Sequence, residues 1–108
     1  MFKVEGPELA PGELRAVEVA DRRLVLCNAD GQVCALEDRC PHADVALSGG
    51  RLTGTVLECP LHGGRLDVRD GSAQRPPIRR AAATFPVRAI EGGFEIEIAT
   101  VLEGERSA

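Results

Sequence analysis

Two of the chain's four cysteines and both of its histidines fall in two short loops, RCPHADVALSGG at residues 39–50 and CPLHGG at 59–64. Each loop offers one thiolate and one imidazole: Cys40 with His42 and, after sixteen intervening residues, Cys59 with His62. Cysteine sulfur and histidine nitrogen are the soft and borderline ligands of iron, zinc and copper. A Cys2His2 zinc finger groups its two cysteines first and its two histidines afterwards. The mixed pairing here suits a binuclear site, in which Cys40 and Cys59 hold one iron and His42 and His62 the other, clasped by two similar loops. A single zinc ion in a binding module is the alternative that these residue types leave open.

Such a site needs a scaffold that brings two distant loops together, and the sequence points to strands. The 108 residues suffice for one domain around one core. With no Trp or Tyr and only three Phe, that core is built from Val, Leu, Ile and Ala, while twelve Gly and seven Pro favour short strands over long helices. FEIEI at 94–98 sets Phe94, Ile96 and Ile98 on one face and Glu95 and Glu97 on the other. FPVRAI at 85–90 alternates Phe85, Val87 and Ala89, and with the EGG turn the two runs form a closing hairpin. ELRAVEV at 13–19 is a less regular strand, and no window carries a helical stripe.

RLVLC and QVCALE flank NADG at 28–31, where Asn28 caps its own turn and Gly31 takes positive φ, which suits a type I turn with a glycine bulge. In that register Cys27 faces Val33 and Cys34 faces Leu26, which leaves two buried free thiols on opposite faces. A tight two-residue turn would set the cysteines directly opposite each other. Asp70 and Gly71 mark another turn. The expected fold class is all-β, an antiparallel sandwich or partly open barrel. Its base is formed by residues 1–38 and 81–100, with a cluster-binding subdomain at 39–80 inserted and a frayed tail at 101–108.

CPH, sixteen residues, then CPLHGG resembles the Rieske 2Fe-2S binding motif. The LSGG segment, the RLDV strand, the Pro-Pro pair and the TFPVR strand are similar to those of soluble Rieske ferredoxins that serve bacterial aromatic-ring dioxygenases. The resemblance implies one 2Fe-2S cluster on Cys40, His42, Cys59 and His62. It also implies a one-electron carrier, not itself catalytic, between an NAD(P)H-dependent ferredoxin reductase and a terminal Rieske oxygenase. The small Rieske subunit of an assimilatory nitrite reductase is the alternative within the same fold. Gly63 and Gly64 lack side chains that would hold off a cluster, and Pro76 and Pro77 resemble the proline segment that covers it. Respiratory members carry an additional disulfide and hydroxyl donors near the cluster; here the matching positions are Val45 and Leu61, and Gly64 and Leu66. A potential at the low end of the Rieske range, roughly −150 mV, is expected.

The net charge of −4 is the wrong sign for nucleic acid or anionic lipid. The start, MFKVEGPELAPG, has no basic segment followed by an apolar run, and no stretch has membrane-spanning length. A cytoplasmic monomer is expected. Charge is polarised all the same: residues 39–80 hold seven Arg against four acids, so this portion is +3 while the remainder is −7. These are either ordinary solvated charges or a polarised surface that orients a partner.

Overall fold

The computed structural model describes residues 1–61 and 63–98, so His62 and residues 99–108, including the expected tail, lie outside the described residues. Eleven strands follow one another: β1 (Phe2–Glu5), β2 (Leu14–Val19), β3 (Arg22–Ala29), β4 (Gln32–Glu37), β5 (Arg51–Thr53), β6 (Val56–Glu58), β7 (Arg65–Asp67), β8 (Ala73–Arg75), β9 (Thr84–Phe85), β10 (Val87–Ile90) and β11 (Gly93–Ile96). A single 3-10 turn, Leu47–Gly49, is the sole helical piece among the described residues. The strands make three antiparallel sheets, ordered β1-β11-β10, β2-β3-β4-β9 and β5-β6-β7-β8.

The middle sheet is buried on both faces, which explains the unbroken apolar run of β3. Leu24, Leu26 and Ala35 turn toward Phe85, Phe94, Ile96 and Ile98. Val25, Cys27, Cys34 and Leu36 turn the other way and share a second core with Leu47, Leu52, Leu57 and Leu66. The alternation of neighbours along each strand produces this division, because successive side chains point to opposite faces. Phe94 and Ile96 are buried as their period requires; the strand ends at Ile96, yet Ile98 stays buried.

Two details depart from the sequence expectation. The β3–β4 turn is a two-residue turn, with Ala29 opposite Gln32 and positive φ at both Asp30 (55°) and Gly31 (97°). This is the type I′ geometry, whose twist matches that of the flanking strands, and a short Asp tolerates the left-handed region it requires. Asn28 does cap the turn, its Oδ1 accepting the Gly31 N–H at 2.6 Å while its Nδ2 donates to the Leu9 carbonyl at 2.8 Å. Cys27 and Cys34 are therefore directly opposite and on one face, not on opposite faces. Both are free and buried, and the Cys27 thiol donates to the Cys34 carbonyl at 3.6 Å. They occupy a hydrogen-bonded pair, since the Asn28 backbone groups one step away face β2 instead. Facing Cβ atoms are held farther apart there than in the alternate pairs, which opposes a disulfide.

The second departure is the run FPVRAI, which is two strands. Pro86 has no N–H for a ladder, and the chain changes sheet there: β9 pairs with β4 and β10 with β11. Ala89, expected inside, is exposed.

Candidate metal centre

The first loop leaves the end of β4 and is tied down by a buried carboxylate. Asp38 accepts hydrogen bonds from the Ser48 N–H and the Ser48 hydroxyl, both at 2.7 Å. Inside that clamp the Cys40 N–H donates to the Val45 carbonyl at 2.8 Å and the Ala43 N–H to the Cys40 carbonyl at 3.2 Å. The tight turn that results points the Cys40 side chain inward, 1% exposed, with His42 half-buried beside it.

The second loop is the tip of the β6–β7 hairpin. Beyond the pair of Glu58 with Arg65, the Cys59 N–H donates to the Gly64 carbonyl at 2.7 Å. Gly63 turns the chain with φ of 72°. Gly64 has a different reason to be glycine: an added Cβ would stand 2.8 Å from Cγ1 and 3.2 Å from the backbone nitrogen of Ile78. Ile78 directly follows Pro77, so the proline pair delivers a buried side chain against this loop.

The two loops meet. The ligand atoms of Cys40, His42 and Cys59 all lie within 4.8 Å of one another, and Cys40 Sγ is 2.8 Å from His42 Nδ1. Three of the four expected ligands are thus brought together; the fourth, His62, lies outside the described residues. Burial raises the Cys59 thiol above its ordinary pKa, the Leu61 N–H directed at its sulfur opposes this, and the neighbouring Cys40 adds to the rise. Two buried sulfurs and an imidazole, converging from separate loops, form a donor set suited to iron or zinc. Iron–sulfur chemistry fits the arrangement because the sulfurs come from both loops and sit together inward, while His42 is nearer the surface. Leu61, an exposed apolar side chain, caps the second loop, and the Arg80 guanidinium donates to the Pro41 carbonyl of the first at 3.4 Å.

Residues 3–86 match the model of the Rieske 2Fe-2S domain. This chain belongs to the Rieske family. Over 85 residues it is 41% identical to the ferredoxin component of biphenyl 2,3-dioxygenase from Rhodococcus jostii (strain RHA1), covering 79% of this chain and 78% of that protein. Its fold superposes on the Sphingomonas yanoikuyae B1 ferredoxin with a TM-score of 0.82 and 30% identity, over 91% of this chain and 97% of the other. It also superposes on a chain from the complex of reduced oxygenase and oxidized ferredoxin in carbazole 1,9a-dioxygenase, with a TM-score of 0.80 and 34% identity over 88% of this chain and 99% of the other. The Rieske domain binds a 2Fe-2S cluster in which two imidazoles replace two thiolates on one iron.

Several residues that shape this Rieske site escaped the sequence reading. Asp38 and Ser48 are ten positions apart, and no local pattern marks a carboxylate that will bond that far away. Arg80 reaches Pro41 across 39 positions. Ile78 could have been suspected only from the need of the prolines to carry something. Among the described residues no helix is long and apolar enough to cross a membrane.

Proposed function

We propose that this chain is a one-electron carrier whose cluster is held by Cys40 and Cys59 on one iron and by His42 and His62 on the other. The observation that carries this reading is the convergence of Cys40, His42 and Cys59 within 4.8 Å from two loops. When bound, the cluster supplies a one-electron couple. The protein's own residues would hold it and shield it: Asp38 fixes the first loop, Gly64 admits Ile78 against the second, and Pro76 and Pro77, by resemblance, would cover the cluster. Residues 39–80 act as the cluster-binding subdomain, residues 1–38 and 81–100 as its base. His42, less buried than the cysteines, and the exposed Leu61 mark the tip where electrons leave.

By analogy with the ferredoxin components it resembles, the chain receives its electron from an NAD(P)H-dependent ferredoxin reductase and gives it to a terminal Rieske non-haem iron dioxygenase acting on an aromatic compound. It carries out no bond chemistry itself, works as a monomer in the cytoplasm, and makes weak, transient contacts of about 1,000 Å².

Anaerobically purified protein should contain two irons and two sulfides per chain and give a rhombic paramagnetic resonance signal after dithionite. His62→Ala should remove that signal with the fold retained by circular dichroism. A colourless protein carrying one zinc would refute the assignment.

A further inference from the structure

The register of the cluster-bearing sheet aligns charges that are far apart in sequence. Arg51 of β5 faces Glu58 of β6, Glu58 faces Arg65 of β7, and Arg65 faces Arg75 of β8. The adjoining row, Leu52, Leu57 and Leu66, is buried in the core. Because side chains alternate, Arg51, Glu58 and Arg65 lie on the opposite, outer face; the β7–β8 register shifts beside Arg65, and Arg51, Arg65 and Arg75 are all exposed. Glu58 is answered by Arg65 at 3.8 Å; Arg51 and Arg75 form no ion pair among the described residues. The row therefore keeps a local charge of +2 on a chain of net charge −4.

Its position is continuous with the metal centre. Arg51 lines one cleft together with Cys59, Pro60 and Gly63, and the Glu58 carboxylate leans to 3.3 Å from the place a Gly63 Cβ would take. Arg75 is brought alongside Arg65 where the β7–β8 register shifts, and gathering like charge there does not favour the sheet. Guanidinium groups match carboxylates with two parallel hydrogen bonds.

We propose that Arg51, Arg65 and Arg75 form the docking row for a carboxylate-lined surface of the redox partner, steering the cluster tip toward it while the acidic base is repelled. This rests on the electron-carrier reading above. Electrostatic steering of this kind acts on the encounter rate and fades as salt screens it.

The test is stopped-flow oxidation of dithionite-reduced protein by two one-electron oxidants of opposite charge, ferricyanide and tris(phenanthroline)cobalt(III). Each takes one electron from one reduced chain, ferricyanide becoming ferrocyanide. Despite the negative net charge, the ferricyanide rate is expected to fall about tenfold between low salt and about 300 mM, and the cobalt rate to stay level or rise. In R51Q/R65Q/R75Q, with an unchanged visible spectrum, the ferricyanide rate should instead rise with salt. Poly-L-glutamate, standing in for a carboxylate surface, should slow oxidation of the native protein and not of the variant. A ferricyanide rate that rises with salt in the native protein would overturn the inference, as would stronger competition by a short DNA duplex, which would reassign the row to nucleic acid. Failure of the carrier reading looks different: such a protein has no cluster for dithionite to reduce.

Discussion

Asp67 shows how one buried side chain sets a pH dependence. It is buried, and its carboxylate accepts the Arg69 N–H at 2.9 Å and the Arg69 guanidinium at 3.0 and 2.7 Å. The Arg69 guanidinium holds its pKa below the usual aspartate value, with desolvation opposing. The folded value is thus the lower one, so its contribution is present above about pH 4, the unfolded value, and is lost as pH falls toward the depressed folded pKa. Asp67→Asn is expected to cost about 1 kcal/mol at neutral pH, a modest figure because the Arg69 side chain is 57% exposed. Urea titrations from pH 7 to pH 3 should show a flatter acid limb in the variant, and an unchanged limb would refute the role. Cys27 behaves oppositely. Burial pushes its thiol up to about 12, and Cys34 is raised for the same first reason. Neither should be alkylated by iodoacetamide in native protein at pH 8, as read by mass spectrometry; rapid labelling of Cys27 would contradict its burial. Cys40, His42 and Cys59, which converge in the structure, stood out at this scale because thiolate and imidazole pairs at fixed spacing announce their chemistry. Asp38 was not, since its partner Ser48 is chosen by the loop's path.

Among elements, the β3–β4 hairpin carries the first ligand loop and separates the two cores. Its turn depends on Asn28, which satisfies the Gly31 N–H and anchors the Leu9 carbonyl through the same amide. Asn28→Ala removes both bonds from a buried site, and the loss is expected to be about 2 kcal/mol. The denaturation midpoint should fall with the m-value unchanged; a shift under about 0.5 kcal/mol would mean that water replaces the amide. On the second loop, Gly64→Ala would force Ile78 aside and is expected to cost about 1–3 kcal/mol, with faster cluster loss followed by the fading of visible absorbance. Strand positions were largely legible from period-two alternation. The turn type and the break at Pro86 were not, because an apolar pattern specifies faces without specifying which sheet a strand joins.

At the scale of the molecule, three thin sheets enclose two cores, and the chain extends 39 × 36 × 18 Å. The interior beside the metal centre is aliphatic: Leu66 is fully buried, and Gly64 offers no hydroxyl. With no hydroxyl from these two positions to stabilise added negative charge, the midpoint potential should lie near the lower Rieske limit, roughly −150 mV. Protein-film voltammetry reads it directly, and a value above zero would require a donor that these positions do not supply.

The sequence by itself determined the chemistry and the class of fold. Cysteine and histidine paired in two loops point to a metal site through residue type, with Cys40, His42 and Cys59 meeting in the structure, and alternating apolar positions declare strands through the fixed two-residue period of a pleated chain. Only the tertiary structure decided which distant groups touch. The Asp38–Ser48 clamp, the seat of Ile78 on Gly64, the facing of Cys27 and Cys34, and the arginine row across β5 to β8 all depend on strand register and loop path. Register follows from the balance of every contact in the sheet at once, and a one-residue slip would reverse each face, so no single stretch of sequence can state it.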